Sequence, residues 1–397
     1  MISVEGALEK ILACVTPLGA EQVLLDRALG RSLAAEVIAE RRLPPWDNSA
    51  MDGYAVRALE IAVGEPLPLA PTIAAGHAPL PLPVRFAARV MTGAPMPVGA
   101  DAVVMREEAE ERDGEVRFSI APDPSAHVRR AGSDVEAGTR VLRAGDPIGP
   151  GEIGLLAALG RTLIEVHRRP RVAILSTGDE LVDADRIPAA GQIAGSNAWA
   201  IGAQCRAAGA LPTVLPIARD DRAVIRAGFE EALRADVVIS TGGVSIGDFD
   251  FVKAVLDDLG VKQEFWKVAM KPGKPIAFGT RDGRPLFGLP GNPASSMVGF
   301  ELFVRPALRR MGGHRVTSRP RALAQLDEAV NHDGKRRQYL RSTVYRDGDV
   351  LRARPNARQG SGMLTSMVGV NALLEIPEGA GRLEAGAAVF ALLFEAV

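Results

Sequence analysis

Two segments of the sequence end in the same small polar residues, and both have the composition of a loop that can approach a phosphate. Ser176-Thr177-Gly178 follows one apolar run, and Thr241-Gly242-Gly243-Val244-Ser245 follows another. Small residues leave backbone amides accessible to phosphate oxygens. A single Gly-Gly turn is equally typical of an ordinary strand-to-helix connection. Two such loops on one sheet edge favour an anion site.

Acidic residues lie beside both loops. Asp179 and Glu180 follow the first loop, Asp220 and Asp221 end a further predicted strand, and Asp250 follows the glycine pair. One carboxylate at a helix start is usually an N-cap, an interpretation that fits Asp220 or Asp221. Several carboxylates near a phosphate loop repel one another unless a cation lies between them. Mg²⁺ binds both carboxylate and phosphate oxygens, so the pattern predicts a magnesium site.

Three lysines, Lys267, Lys271 and Lys274, lie in a segment whose prolines fix the backbone. The loop Gly288-Leu289-Pro290-Gly291-Asn292-Pro293 then leads into a predicted helix, whose N-terminal amides are further donors. Each lysine alone is most simply a solvated surface residue. Taken with the loop, the lysines favour binding of a phosphate or another oxyanion.

The elements that must position these groups alternate between strands and helices from residue 171 to 311. Strands are predicted at 172–175, 214–217 and 237–239, and helices at 198–208, 222–234, 252–259 and 293–311. This alternation predicts a mainly parallel sheet with helices on both faces, which binds ligands beyond the carboxyl ends of its strands.

The remaining segments predict further domains around this α/β unit. Helical spacing appears at 3–17, 22–38 and 152–159, whereas short β-like runs appear at 89–91, 102–105, 116–118 and 389–393. The predicted fold is multidomain α/β plus β, with a three-layer α/β/α domain at 169–315 and a small C-terminal β-barrel at 316–397. A helical N-terminal domain, 1–42 and 141–168, carries an inserted β-rich domain at 43–140.

Composition narrows the classes of function. The 397 residues include 47 basic and 48 acidic side chains, a balance that does not point to a nucleic-acid or membrane partner. Two cysteines and five scattered histidines predict neither a disulfide framework nor a histidine-based metal centre. Without a signal-like N-terminus or a run of about 20 apolar residues, a cytoplasmic protein is expected.

Three turn-rich segments outside the α/β unit, 47–55, 91–95 and 129–134, are explained by local backbone hydrogen bonding alone. Together with the loops, however, they carry a resemblance. DNSAMDGYAV at 47–56, MTGAP at 91–95, STGDEL at 176–181, STGGVSIGDFDFVK at 240–253, KPGKP at 271–275 and GLPGNP at 288–293 occur in this order. They resemble the molybdopterin molybdenumtransferase family, the molybdate-insertion proteins related to the insertase domain of gephyrin. The resemblance covers essentially the whole chain.

The resemblance implies a reaction and an assembly. Members of the family take adenylated molybdopterin and molybdate, insert the metal into the dithiolene and release AMP with the assistance of Mg²⁺. It also implies a homodimer that uses the N-terminal domain for dimerisation. The site then lies between the α/β domain of one subunit and the inserted domain of its partner, and other proteins of the cofactor pathway are plausible contacts.

Carried over position by position, the resemblance assigns roles to single residues. The catalytic set is Asp52, Thr92, Glu180, Asp220 and Asp250, of which Glu180, Asp220 and Asp250 would bind Mg²⁺. The substrate-binding set is Arg129, Asp134, Ser176, Thr177, Gly178, Thr241, Gly242, Gly243, Ser245, Lys267, Lys271, Lys274, Pro290, Gly291, Asn292, Pro293 and Ser361. Asp52 and Thr92 would face the α/β edge across the dimer.

One position departs from the family, and three alternatives stay open. Gly195 stands where members often carry an aspartate, which removes one candidate ligand. The related adenylating enzyme has only the domain matching 171–311 and reads Gly-Gly-Thr-Gly where this chain has Gly242-Gly243-Val244-Ser245. A non-catalytic scaffold or sensor could retain the fold. Tungstate, nearly the same in size and charge as molybdate, could replace it as substrate.

Overall fold

The computed structural model describes residues 1–243 and 251–395 of the chain. Two of the predicted site residues, Ser245 and Asp250, lie outside the described residues. The helices within the described ranges are all too short or too polar to span a lipid bilayer.

The first helix, α1 (Val4–Cys14), confirms the helix predicted near the N-terminus. The Ser3 side chain caps its first turn. Its buried face, formed by Val4, Ala7 and Ile11, belongs to the main hydrophobic core of the α/β region. This helix therefore anchors the start of the chain on the α/β sheet rather than on the segments that follow it.

The helix predicted over 22–38 is wrong. That segment contains β1 (Ala20–Leu24), a 3₁₀ turn (Leu25–Arg27) and β2 (Val37–Ile38). β1 pairs antiparallel with the strand Leu163–His167, far along the chain. Gly30 also breaks the segment with a φ of 74°. The apolar residues read at helical spacing pack instead in a small core that this strand pairing creates.

The regular secondary structure of the inserted segment consists of β-strands and short 3₁₀ turns. Its strands and short helical turns are β3 (Asn48–Ser49), β4 (Gly53–Val56), a 3₁₀ turn (Ala58–Glu60), β5 (Pro66–Ile73), β6 (Ala87–Val90), β7 (Ala102–Met105), a 3₁₀ turn (Arg106–Glu108), β8 (Ala109–Arg112), β9 (Glu115–Phe118) and β10 (Val128–Arg129). Six of the strands form a sheet in the order β7-β4-β6-β5-β9-β8, and β3 pairs with β10. The predicted strands at 89–91, 102–105 and 116–118 are confirmed as β6, β7 and β9.

The chain then returns from the insert through β11 (Arg140–Leu142), helix α2 (Pro150–Ala158) and β12 (Leu163–His167). The helix predicted at 152–159 is confirmed as α2. β11 pairs with β2, and β12 pairs with β1, so the two strands of the return lie against the strands that precede the insert. The segments before and after the insert therefore form one unit that the insert interrupts, as the sequence predicts. The residue limits of the domains stay predictions.

The α/β region contains the sheet that positions the candidate site. Its elements are β13 (Arg171–Ser176), β14 (Leu181–Val182), β15 (Ile193–Ala194), α3 (Asn197–Ala207), β16 (Leu211–Val214), α4 (Arg222–Ala232), β17 (Val237–Thr241), α5 (Phe251–Asp258), β18 (Lys262–Phe265), β19 (Met270–Lys271), β20 (Ala277–Arg281), β21 (Arg284–Leu289), α6 (Pro293–Gly299), a π-helical turn (Phe300–Val304) and α7 (Arg305–Met311). The sheet order is β16-β13-β17-β21-β20-β18. The first four strands are parallel, and β20 and β18 run antiparallel to their neighbours in the sheet.

Helices cover both faces of this sheet. α3, α6 and α7 share one core with side chains of β13 and β17 such as Ile174 and Ile239. α4 and α5 share a second core with the alternate side chains, such as Leu175 and Val238. Alternate residues of a strand point to opposite faces, so these two cores are the two sides of a three-layer α/β/α arrangement.

The C-terminal segment forms a small closed barrel. Its elements are β22 (Arg321–Leu326), β23 (Val330–Asn331), β24 (Arg337–Asp347), β25 (Val350–Pro355), a 3₁₀ turn (Leu364–Met367), β26 (Ala372–Ile376), β27 (Arg382–Leu383) and β28 (Ala388–Leu393). β26 pairs with both β28 and β24, which closes the circle of strands. β19 of the α/β region pairs with β24, so the barrel is hydrogen-bonded to the lysine segment. The predicted fold class is confirmed.

Candidate functional site

The two Ser-Thr-Gly loops lie side by side at the carboxyl edge of the parallel sheet. β13 and β17 are adjacent, and Ser176 is opposite Thr241 in their register. Thr177 N donates a hydrogen bond to Thr241 O at 3.1 Å, which joins the two loops directly. Gly178 N donates to Ala218 O at 3.1 Å, so the loop after β16 meets them at the same edge.

The glycines of the second loop are required by the closeness of the first. Gly242 has a φ of 94° and Gly243 a φ of 63°, both in the left-handed region. A Cβ on Gly242 would lie 2.5 Å from Thr177 O, and a Cβ on Gly243 would lie 2.4 Å from a methyl carbon of Val252. The loops therefore present bare backbone to one another, and the amides of Thr177, Gly178 and Gly242 are used in hydrogen bonds within this edge.

A third loop, Pro290-Gly291-Asn292-Pro293, closes over the second one. Thr241 Oγ1 donates to Pro290 O at 3.3 Å and accepts a hydrogen bond from Asn197 Nδ2 at 2.9 Å. Asn197 Nδ2 also donates to Gly291 O at 2.8 Å. Asn197, the first residue of α3, is thus a bridge between two predicted loops, and it was not among the predicted site residues. Its only sequence signal is its place in Ser196-Asn197 at a helix start.

The C-terminal barrel contributes Ser361 to the same place. Asn292 Nδ2 donates to Ser361 Oγ at 3.2 Å, and Ala294 N, in the first turn of α6, donates to Ser361 O at 3.1 Å. The fold therefore places Ser361 beside the 290–293 loop, although Asn292 and Ser361 are 69 positions apart in the sequence.

The loop that carries Ser361 is held by a buried arginine. Arg341 in β24 is 1% exposed. Its guanidinium donates to Gly360 O at 3.1 Å and to Ser366 Oγ at 3.2 Å. Gln359 Nε2 donates back to Arg341 O at 2.8 Å. The sequence pattern does not distinguish Arg341 from the many surface arginines, since only the fold shows what it contacts.

The acidic residues at this edge have different local roles. Asp220 N donates to Asp179 Oδ1 at 3.1 Å, and Asp179 N donates to Asp220 Oδ2 at 3.4 Å, so the two loops are joined through reciprocal hydrogen bonds. Asp221, rather than Asp220, is the N-cap of α4 and accepts from Ala223 N at 2.9 Å. Glu180 is exposed, and its carboxylate lies against Gly178, where a Cβ would be 2.4 Å from Oε2.

Two of the three predicted Mg²⁺ ligands, Glu180 and Asp220, lie on loops at this edge. Among residues 1–243 and 251–395, no group of three or more acidic, histidine or cysteine side chains is placed to hold a metal ion. The third predicted ligand, Asp250, lies outside those ranges. Mg²⁺ usually keeps several waters and uses one or two carboxylates together with substrate phosphates. Glu180 and Asp220 at the edge of a phosphate-type loop fit that ligand set.

The lysine segment runs beside the first turn of α6. A Cβ on Gly273 would lie 3.6 Å from Ser295 O, which places the Lys271-Pro272-Gly273-Lys274 turn against that helix. Lys271 Nζ lies 3.4 Å from Asp333 Oδ2 of the barrel. The backbone carbonyls of Lys267 and Lys274 accept hydrogen bonds from Ile2 N and Val268 N, each at 3.0 Å. Lys267 is partly buried and Lys274 is exposed.

The predicted residues of the insert form a separate group. Asp52 Oδ1 accepts hydrogen bonds from Thr92 N at 2.7 Å and from Thr92 Oγ1 at 2.9 Å. These bonds lower the pKa of Asp52. Asp52 lines a cavity of about 470 Å³ whose walls also carry Arg89, Arg106 and Glu111. The insert therefore has a charged concave face of its own.

Arg129 and Asp134 lie elsewhere in the insert. Arg129 is in β10 opposite Asn48, and Asp134 N donates to Leu43 O at 2.9 Å. Both side chains are exposed. The hydrogen bonds described for Asp52, Thr92 and Asp134 stay within the insert. The loop residues after β13 and β17, the 290–293 loop and Ser361 lie together at the α/β edge.

Comparisons with known proteins identify the family. Family models match residues 2–160 as the MoeA N-terminal region (domain I and II), 173–310 as a probable molybdopterin binding domain, and 324–394 as the MoeA C-terminal region (domain IV). The molybdopterin molybdenumtransferase of a Nostoc species is 37% identical over 408 residues, covering 99% of this chain and 94% of that protein. The chain belongs to the molybdopterin molybdenumtransferase family.

Other relatives of the family agree in length and fold. Molybdopterin molybdenumtransferase 2 of Mycobacterium tuberculosis is 40% identical over 379 residues, which cover 92% of each chain. The crystal structure of the molybdopterin biosynthesis MoeA protein of Pyrococcus horikoshii superposes with a TM-score of 0.85 at 32% identity, covering 100% of both chains. The resemblance inferred from the six motifs is confirmed, and with it the prediction that the protein is a transferase.

Proposed function

We propose that the protein inserts molybdate into the dithiolene of adenylated molybdopterin and releases AMP in a Mg²⁺-dependent reaction. The observation that carries the proposal is the convergence of three glycine- and proline-rich loops with Asn197 and Ser361 at one sheet edge. The family to which the chain belongs supports the class of reaction. Molybdate and adenylated molybdopterin are the substrates.

The loops supply a buried hydroxyl donor for anionic groups. A side chain at Gly178 or Gly242 would collide with a neighbouring atom, and the amides of both glycines donate to carbonyl groups of the protein, Ala218 O and Leu289 O. Among the described residues, the buried hydroxyl of Thr177 has no hydrogen-bond partner, which supports a role as a donor to a ligand. Fixed donors of this kind stabilise charge without having to reorganise during the reaction.

Lysine and carboxylate side chains complete the electrostatics. Lys271 would neutralise an oxyanion at the loop edge, and Lys267 and Lys274 lie on the same segment. Glu180 and Asp220, with Asp250, would hold Mg²⁺, which when bound neutralises charge on the phosphoanhydride. Molybdenum prefers the soft dithiolene sulfurs of the pterin to the oxygen ligands of the protein.

The proposal is tested by measuring AMP release from adenylated molybdopterin, with molybdate and Mg²⁺ each added or withheld. Wild-type protein should release AMP only when both are present. The Lys271→Ala variant should raise the molybdate concentration needed for half-maximal release, because a cation beside the oxyanion is lost. No AMP release from the wild type under any condition would overturn the proposal and favour a scaffold or sensor.

We also infer that the insert of one subunit completes the site of a second copy. The support is the pair Asp52 and Thr92 on the insert. Thr92 donates two hydrogen bonds to Asp52, and neither bond reaches the loops at the sheet edge or the barrel. In a homodimer with such shared sites, inactive Asp52→Ala and Glu180→Ala subunits complement each other when mixed.

Random reassociation makes half of the dimers heterodimers, and each heterodimer has one intact site of its two. This corresponds to roughly a quarter of the wild-type activity. The mixture should therefore recover AMP release that neither variant has alone. Recovery that stays at the level of the two separate variants would contradict a shared site, while leaving the reaction itself untouched.

A further inference from the structure

An arginine-rich cleft lies at the opposite end of the α/β sheet from the candidate site. It has a volume of about 560 Å³, and its walls carry five arginines against two carboxylates, Glu21 and Asp26. The arginines are Arg27, Arg31, Arg168, Arg169 and Arg171. Arg171 begins β13 and Ser176 ends it. Since a strand rises about 3.3 Å per residue, the cleft and the loops are separated by roughly 16 Å of strand. The cleft is therefore not a part of the candidate site.

Three of these arginines have partners in the protein. Arg31 Nη2 lies 2.5 Å from Glu21 Oε1 and donates to His167 O at 2.7 Å. Arg168 donates to both carboxylate oxygens of Asp236, at 2.6 and 3.1 Å, and Arg171 lies 3.3 Å from the same carboxylate. These pairs hold the walls of the cleft in place.

Arg169 and Arg27 do not have such partners. Within residues 1–243 and 251–395, neither forms a hydrogen bond through its side chain or an ion pair, and Arg169 Nε is buried without an acceptor. Burial lowers the pKa of Arg169, and the nearby charge of Arg31 lowers it further. A partly buried cation without an acceptor is costly in free energy. An anion that enters the cleft would remove that cost.

Three apolar residues of the lining favour a ligand with an apolar part. Val23, Leu29 and Leu211 line the cleft beside the arginines, and Leu29 and Leu211 are 56% and 48% exposed. Guanidinium groups bind phosphate through a planar fork of donors and also stack on flat rings. The volume lies within the range of small-molecule sites, about 300–1,000 Å³.

We propose that this cleft is a second anion site, which binds a small phosphorylated compound carrying a ring, of the nucleoside phosphate class. Arg169 and Arg27 bind the phosphate, and the apolar wall takes the ring. The proposal does not depend on the reaction proposed for the sheet edge.

Hydrogen–deuterium exchange of the intact protein tests the proposal locally, with AMP and inorganic pyrophosphate as the probes. Both should slow exchange in the segments 25–33 and 163–171 of the wild type, and AMP should do so at the lower concentration because it carries a ring. If pyrophosphate protects as well as AMP, the site takes phosphate alone and the ring is not recognised, which overturns the ligand class. Lys271→Ala, at the candidate active site, should leave the protection unchanged.

Three variants separate the role of Arg169 from a general charge effect. Arg169→Gln should weaken binding by about tenfold or more, as expected for loss of a charged hydrogen bond. Arg169→Lys keeps the charge without the fork and should lie in between. Arg112→Gln, whose side chain is 91% exposed beside Asp113, should bind as the wild type does.

Several outcomes would overturn the proposal. One is an absence of ligand-induced protection in the wild type at millimolar probe. Another is equal affinity in Arg169→Gln, and a third is protection that disappears with Lys271→Ala.

Discussion

Gly242 is the most constrained position where the two loops meet, and its replacement by alanine tests that contact directly. Its φ is 94°, and a Cβ would lie 2.5 Å from Thr177 O and 3.1 Å from Thr177 Oγ1. The nearer atom is backbone, in a loop that is itself hydrogen-bonded to Thr241. The methyl group can be accommodated only if the loops after β13 and β17 move apart.

The size of the effect follows from comparison with a second glycine. Gly209, after α3, has a φ of 90°, and no atom lies within 4 Å of the place that an alanine methyl group would take there. Gly209→Ala therefore carries only the cost of a left-handed backbone, about 1–2 kcal/mol. Gly242→Ala has the same backbone cost and adds overpacking of about 1–3 kcal/mol. Its total cost should reach about 2–5 kcal/mol.

The assay is urea-induced unfolding with hydrogen exchange measured in β13 and β17. Multidomain chains unfold in more than one transition, so the exchange identifies the transition of the α/β domain. Gly242→Ala should lose clearly more unfolding free energy than Gly209→Ala and should also lose AMP release. Equal losses in the two variants would refute the inference that the loops touch at this point.

Three further substitutions have definite expected results. Asn197→Ala removes two hydrogen bonds between loops, at 2.9 and 2.8 Å, and should lower the unfolding free energy by about 1–3 kcal/mol in urea titrations. Asp333→Asn removes a carboxylate that competes with an oxyanion for Lys271. Since exposed pairs contribute at most about 1 kcal/mol, calorimetry should show molybdate binding up to about fivefold tighter, and weaker binding would contradict this. Burial lowers the pKa of His314 to about 4. In the unfolded chain the same histidine has a pKa of about 6.5, so as the pH falls the unfolded state takes up a proton before the folded state does. The free energy of unfolding should therefore fall by on the order of 1 kcal/mol from pH 7 to pH 5. His314→Gln should flatten that fall, and the exposed His77→Gln should not.

The sequence predicts the central α/β elements because their apolar runs are continuous and separated by strong turn residues. Helices α3, α4 and α5 begin within one residue of the predicted starts, and the closing helix ends at Met311 as predicted. The strand predicted at 214–217 is displaced to Leu211–Val214, because its register is set by pairing with β13. Such displacements are typical where a strand boundary depends on a distant partner.

Strands β20 and β21 are absent from the prediction although a local signal existed. They form an antiparallel hairpin around Asp282-Gly283, both with positive φ, and an Asp-Gly pair between apolar runs is a strong hairpin signal. The wrong helix over 22–38 has a different cause. Its partner strand, β12, lies about 140 residues later, and no local pattern contains that pairing.

For the candidate site, composition identifies the loops but not the side chains that hold them. Gly242 and Pro290 belong to recognisable loop patterns, and the sheet brings them together as parallel strands require. Asn197 and Arg341 act through carbonyl groups on distant segments, so their contacts follow from the tertiary structure alone. Their residue types carry no such information in a single sequence.

The most direct test of the proposed reaction is to quantify AMP and molybdenum-bound pterin together, for wild type and Glu180→Gln, with Mg²⁺ and molybdate present. The exposed Glu378→Gln is the matched control for removal of a surface carboxylate. Wild type and control should form the two products in equal amounts, and Glu180→Gln should lose at least about 100-fold in rate, as expected for an electrostatic group at a reacting centre. Full activity in Glu180→Gln would contradict the assignment of this site, and AMP formed without metal transfer would contradict the reaction.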